Sequence, residues 1–420
     1  MKGNNLGEIL KDFLLNIETI KETLPMTFLL LNPHRIESFE KITKFINKKI
    51  NYEEIDGKKV PFVKEGEVRI FEQLKKDADI SGLSFDIISE SLFVSLISKY
   101  DAFLNNLLIS LYNIKPEIIN SSDKKISFSD FYSMENIDLA KKYIIEKEVE
   151  GVLRDSHEEH FKYLETKLGM KLRENLDIWG KFIELTERRN LIVHNNGIIN
   201  NQYFSVCCEN NNPGNINKVG DKIKIDISYF NECYYVLYEL TVKLTITIWR
   251  KLIPGKLEEI DKELNNICFD LLNLKEYKLA DKLLDFACSQ KKFSNNENKY
   301  IYIINKSLSK YLQGDKEAAN SIIGCTDWSA FGDDFKLAVS IIKENYNESY
   351  NLMKKIGLNG DIDKNAYIEW PLFNDIKKEK EFRKTYEEIF GESYKNVKLP
   401  EKMLKKIINK SKNSNIKKSK

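Results

Sequence analysis

Neither sign of charge is in surplus: 66 Lys and Arg stand against 64 Asp and Glu in 420 residues. No global field draws a polyanion, so any nucleic-acid contact must come from a local patch. Cysteine is scarce and scattered. Cys207, Cys208, Cys233, Cys268, Cys288 and Cys325 include no C-x-x-C pair and no histidine spaced to complete a zinc site, so they are expected to be buried, reduced thiols. Residues Met1 to Lys11 lack an uninterrupted apolar core, so no export signal is expected. No apolar run approaches the roughly 20 residues that a membrane-crossing helix needs, which makes a cytoplasmic protein with no membrane partner the expectation. No G-x-x-x-x-G-K-[ST], G-x-G-x-x-G or G-x-S-x-G string occurs. P-loop, Rossmann and serine-hydrolase chemistry are therefore not indicated.

What is present is ordinary globular composition, 42% hydrophobic and 31% charged, long enough for two or three domains. Apolar residues recur at three and four over long windows with few prolines between them, so the fold class is mainly α. The stretch 1–84 has no assigned role. It holds two segments that look extended, Phe28 to Leu31 ahead of Asn32-Pro33 and Val60 to Val63 after the Asp56-Gly57 turn signal. From 85 to 253 the pattern is one helical bundle. A long helix over about 86–114 stops before Pro116, others follow near 136–146 and 147–168, one over 172–195 ends in Asn195-Asn196-Gly197, and the last covers about 228–252. A small β-hairpin is expected between them, Gln202 to Cys208 returning as Lys222 to Ile227 through the Asn210-to-Asn215 turn.

Beyond Pro254, small residues (Ala280, Ala318, Ala319, Ser349) recur at a loose period of three to four dozen. The region 254–398 resembles degenerate tetratricopeptide-like helical hairpins, closed by a capping segment from Trp370 to Phe390. After that the chain, 399–420, is a lysine-rich tail, read as solvated, with weak RNA attraction as the functional alternative.

Two charges break the apolar pattern of the bundle. On the helix ending at 195, the stripe Ile178, Phe182, Leu185, Ile192, Val193 has Arg189 in its middle. On the first long helix, Phe93, Ile97, Leu104 and Leu108 share a stripe with Asp101. An unpaired buried charge costs several kcal/mol, so the simplest expectation is that Asp101 and Arg189 meet across two packed helices, the acid orienting the guanidinium. Taken alone, such a pair is also what a purely structural ion pair looks like. His194 lies four residues after Asn190 on the same face, in the last turn, where the helix dipole favours an imidazolium. His157 and His160 also share a face, but no further histidine completes a metal site, and surface decoration is the simpler account. Tyr229, Phe230, Tyr234, Tyr235 and Tyr238 fit core packing better than base stacking.

The string Arg189-Asn190-Leu191-Ile192-Val193-His194 resembles the R-x4-6-H motif of HEPN domains, with flanks similar to those of prokaryotic defence and abortive-infection members. The resemblance covers about 85–252. It implies a metal-independent endoribonuclease, with no cofactor and no metal, in which His194 moves a proton, Arg189 stabilises phosphate charge and Asn190 holds the histidine or a phosphate oxygen. It also implies a homodimer that builds one cleft from two motifs. RNA, possibly tRNA, is the expected substrate, in a toxin-like role in phage defence or stress. A protein trigger or inhibitor is expected at the C-terminal helical region. The competing class is a non-catalytic dimeric scaffold or RNA-binding protein.

Overall fold

The structure is a computed structural model that describes residues 6–121, 125–132, 134, 136–210 and 218–394. The chain divides into two compact units, 1–260 and 261–420.

Unit 1 begins with two long antiparallel helices, α1 (Leu6–Lys49) and α2 (Val68–Ile114), joined by a two-stranded hairpin of β1 (Asn51–Ile55) and β2 (Lys58–Phe62). Asp56 and Gly57 turn it with φ of 52° and 72°, the paired left-handed residues of a two-residue hairpin turn. Phe28 to Leu31, expected to be extended, lies inside α1, which carries Pro25 and Pro33 within its length. The hydroxyl and ring contacts between the helices explain why: Phe28 meets Phe85 with centroids 4.8 Å apart, and Ser81 bonds Ser38 at 3.1 Å. α2 stops at Ile114, two residues before Pro116, as expected, but starts at Val68 rather than near 86.

By length and composition alone, one helix departs from the expectation of no membrane-length apolar segment. The helical stretch Glu65–Ile114 is long and apolar enough to cross a membrane by length and composition only, and 28% of its most apolar part is buried inside the protein. Asp86, Glu90 and several serines break the stretch into short apolar runs, so no continuous run of that length is visible in the sequence.

Four short elements follow α2: α3 (Phe128–Tyr132), α4 (Ile137–Leu153), α5 (His157–Leu168) and α6 (Trp179–Asn195). α6 starts later than expected because Arg173 is held by Glu165 (2.7 Å), whose carboxylate also accepts from the Leu172 and Arg173 amides. At its other end, Asn196 and Gly197 take left-handed φ of 52° and 73°, and the Gly197 amide closes the helix on Leu191 at 2.9 Å.

The β-hairpin expected at 202–227 is not there. Asn201–Glu209 is a helix, α7, started by the Asn200 side chain accepting from the Tyr203 amide at 2.9 Å. Tyr203 and Cys207, one helical turn apart, both bury against Leu191, Ile199 and Ile223. The returning stretch makes a single bridge, Ile198 with Lys222; most of the expected turn, 211–215, lies outside the described residues. α8 (Ile227–Leu252) is the central helix, packed against α1, α2 and α6. Phe230, Tyr234 and Tyr238 are buried in it as core.

Unit 2 opens within the first turns of α9 (Leu257–Asn273) and continues through α10 (Tyr277–Cys288), α11 (Asn296–Leu312), α12 (Lys316–Gly324), α13 (Asp333–Ile342) and α14 (Tyr346–Ile356). Each of the three successive helix pairs turns on one left-handed residue, Lys275, Gly314 and Glu344 with φ of 64°, 87° and 60°. Ala280, Ala319 and Ser349, singled out by spacing, are fully buried where helices cross. α15 (Lys364–Glu369) and α16 (Lys380–Phe390) close the unit through Tyr367, Phe373, Phe382 and Tyr386. The lysine-rich tail, 399–420, lies outside the described residues, which end at Tyr394.

The thiols divide. Cys207, Cys233 and Cys268 are buried and Cys288 partly so, but Cys208 and Cys325 are exposed, against expectation. Cys208 follows the buried Cys207 on α7 and so points off that helix's packed face.

Candidate active site

Phe93, Ile97, Leu104 and Leu108 are completely buried along one side of α2, and this stripe sets Asp101 against the bundle interior. From α6, where Phe182 and Leu185, with Ile178 at its start, are buried in the same way, Arg189 reaches across. Its Nη2 donates to Asp101 Oδ2 at 3.0 Å, so the two residues that break their stripes do meet. The pair is not sealed: the side chains keep 22% and 35% of their exposure. One bond to Asp101 leaves most of the guanidinium's five N–H groups for another acceptor, while Arg189 Nε is buried without a partner among the described residues.

A third group joins them that sequence reading placed on the surface. His157, the first residue of α5, is buried and bonds Asp101 Oδ1 through Nε2 at 2.9 Å. Asp101 thus bridges a histidine and an arginine, one on each carboxylate oxygen. His160, one turn along, is buried as well, its ring 5.1 Å from that of His157. Burial, with the His157 charge beside it, pulls the His160 pKa from 6.5 to about 4, so it is neutral at physiological pH. In the sequence the two histidines stand as an isolated pair, with no other histidine nearby. The signal that finds them is the spacing His157, His160, Phe161, Leu164, Leu168, which is the buried face of α5.

The rest of the motif is placed differently. His194 is exposed in the last turn of α6 and makes no hydrogen bond or ion pair among the described residues. Asn190 is half-buried, and its amide donates to Glu187 Oε1 at 3.4 Å, not to His194. Burial raises the Glu187 pKa, against the opposing pull of His157, Asn190 and Arg189. The structure therefore gathers Asp101, His157 and Arg189, and leaves His194 free on the same helix.

The neighbouring Arg188 serves the scaffold. It lies 3.7 Å over the Tyr229 ring and bonds Glu184 at 2.7 Å, while Tyr203 and Tyr229 both donate to the same buried Glu184. Burial works against its charge, yet Tyr229 and Glu184 hold the Arg188 pKa above its ordinary value. This network ties α6, α7 and α8 together and fixes the helix that carries the motif. Among the described residues no group of three or more His, Cys, Asp and Glu is placed to hold a metal ion.

No family model, no curated protein and no solved structure matches this chain.

Proposed function

We propose that the chain is a metal-independent endoribonuclease of the HEPN type, acting as a homodimer. The observation that carries the reading is the division of labour on α6: Arg189 is aimed by Asp101 with donors to spare, and His194, five residues on, is exposed and unengaged. In the reaction the ribose 2′-oxygen attacks phosphorus, the bond to the 5′-oxygen breaks, one proton leaves the 2′-hydroxyl and one reaches the departing oxygen. Histidine supports both proton transfers near neutral pH, and a guanidinium stabilises the charge that builds on the phosphate oxygens. One His194 cannot serve both transfers at once. A second copy facing it supplies the other, which is the reason for a dimer. DNA lacks the attacking hydroxyl and is not a substrate. A toxin-like role in defence or stress rests on family analogy alone.

The second reading is a non-catalytic scaffold, favoured by the same ion pair, since Asp101 and His157 would hold Arg189 equally well for packing alone.

The deciding experiment incubates wild type, His194→Ala and Asp101→Ala with total RNA in EDTA and analyses the fragment ends. The expected outcome is 2′,3′-cyclic phosphate and 5′-hydroxyl ends from wild type, loss of at least about 100-fold in His194→Ala, and slower cleavage with unchanged ends in Asp101→Ala. Fragments of the same kind and amount from His194→Ala would remove the histidine from the chemistry. Dimeric, folded wild type that leaves RNA intact would favour the scaffold.

A further inference from the structure

Unit 2 holds a cavity of about 600 Å³ between α9, α11, α13 and α15. Its charged lining is of one sign: Glu297, Asp334, Asp361, Asp363 and Glu369, with no lysine or arginine. Asp363 is occupied in capping α15, its Oδ1 accepting from the Ala366 amide at 2.7 Å. The other four make no ion pair among the described residues, although this unit pairs acids with lysines at many other positions. Uncompensated carboxylates around one concave space repel each other and favour a cation between them.

Aromatic rings line part of the walls, Phe269 on α9, Phe335 on α13 and Trp370 just after α15. Polar groups are left over there too. Asn305, 3% exposed, donates to Asn265 at 3.0 Å but its Oδ1 has no partner, and Trp370 Nε1 is likewise buried and unpaired. Buried polar atoms without partners cost free energy and mark places where a ligand or water completes the structure. Aliphatic stems ending in ammonium groups suit such a space, the stem on the rings and the charge on the carboxylates.

A segment with that chemistry lies in the same unit. Residues 395–420 hold ten lysines and one acid, Glu401, with Met403, Leu404, Ile407 and Ile408 among them. The described chain ends at Tyr394, packed on Phe382 and Tyr386, while Phe390 meets Tyr367 at 5.7 Å and Glu392 pairs with Lys364, both on α15, the helix whose other residues line the cavity. Ten residues of extended chain cover about 33 Å, so the later lysines of the segment have the longest reach from Tyr394 towards the cavity. We propose that the lysine-rich segment 395–420 docks in this acidic cavity of unit 2, lysine ammonium groups meeting Glu297, Asp334, Asp361 and Glu369. The docking holds a basic, RNA-attracting stretch out of reach and releases it when a competing cation or salt intervenes.

Lysines make the test direct, because trypsin cuts after them. The full chain is digested briefly at low salt, alongside Asp334→Asn/Asp361→Asn/Glu369→Gln, and cleavage within 395–420 is followed by mass spectrometry. The expected result is at least about five-fold slower cutting in wild type, an advantage lost in the variant and in 0.5 M salt, where screening shortens the reach of each charge to a few ångströms. If the triple variant does not fold, the single exposed Asp361→Asn gives a smaller change in the same direction. Equal cutting of wild type and variant at low salt overturns the proposal. Protection of the wild-type segment that survives 0.5 M salt and the triple variant overturns it as well, by placing the segment elsewhere. The readout does not depend on ribonuclease activity, so failure here and failure of the nuclease reading are separate results.

Discussion

Asp101 and His160 flank the same imidazole, that of His157, and they differ in what the sequence reveals of them. Asp101 and Arg189 were legible because each is a charge inside an apolar stripe, and the cost of burying a charge forces a partner. His157 and His160 were not, since histidine counts as polar in a periodicity reading but packs as an aromatic ring, here beside Tyr100 and Phe182. His160 yields a pH prediction with a definite sign. Its folded pKa, about 4, lies below the ordinary 6.5, so above pH 6.5 both folded and unfolded chains hold it neutral. As pH falls from 6.5 towards 4, the unfolded chain takes up a proton that the folded chain refuses, and stability is lost by up to about 3 kcal/mol. Urea midpoints from pH 7.5 to 4.5 should fall more steeply for wild type than for His160→Gln, and parallel curves would refute the assignment.

Among the elements, the long helices and their ends were readable from periodicity, proline and the Asn-Gly cap, while the hairpin was put in the wrong place. The string Gln202 to Cys208 is short, aromatic and bounded by asparagines, which fits strand and helix alike. What decides it is the Asn200 cap together with a core that takes Tyr203 and Cys207 from one face. Conversely, Asp56-Gly57 was noted as a turn signal and does turn the hairpin that exists. In unit 2 the helix pairs show a regularity at their turns that residue identity hides, because Gly314 occupies a left-handed position comfortably whereas Lys275 and Glu344 occupy theirs under strain. A left-handed non-glycine residue costs about 1 kcal/mol. Lys275 is exposed in the turn, so Lys275→Gly should raise unfolding free energy by about 0.5–1 kcal/mol, and Lys275→Val should lower it. A urea titration showing Lys275→Gly below wild type would mean that the turn is held by the lysine side chain instead.

For the whole molecule, the proposed chemistry demands two copies. Light scattering should give a particle of twice the 49.2 kDa chain, and cleavage per chain should fall as the protein is diluted through dissociation. A particle of one chain mass with constant specific activity would require a one-motif mechanism. The long pair of helices at the start of unit 1 adds a mechanical consequence. Beyond the region packed by α8, the distal parts of α1 and α2 pack chiefly on each other and carry apolar side chains outward, Leu29 and Leu30 on one, Leu83 and Ile87 on the other. About 25 residues of helix make a rod roughly 38 Å long. It is a lever: a tilt of about ten degrees where it leaves the bundle carries the β1–β2 tip through some 6–7 Å by the same length. A tilt of that size at the base of the pair would therefore move the far end by more than the spacing between two strands.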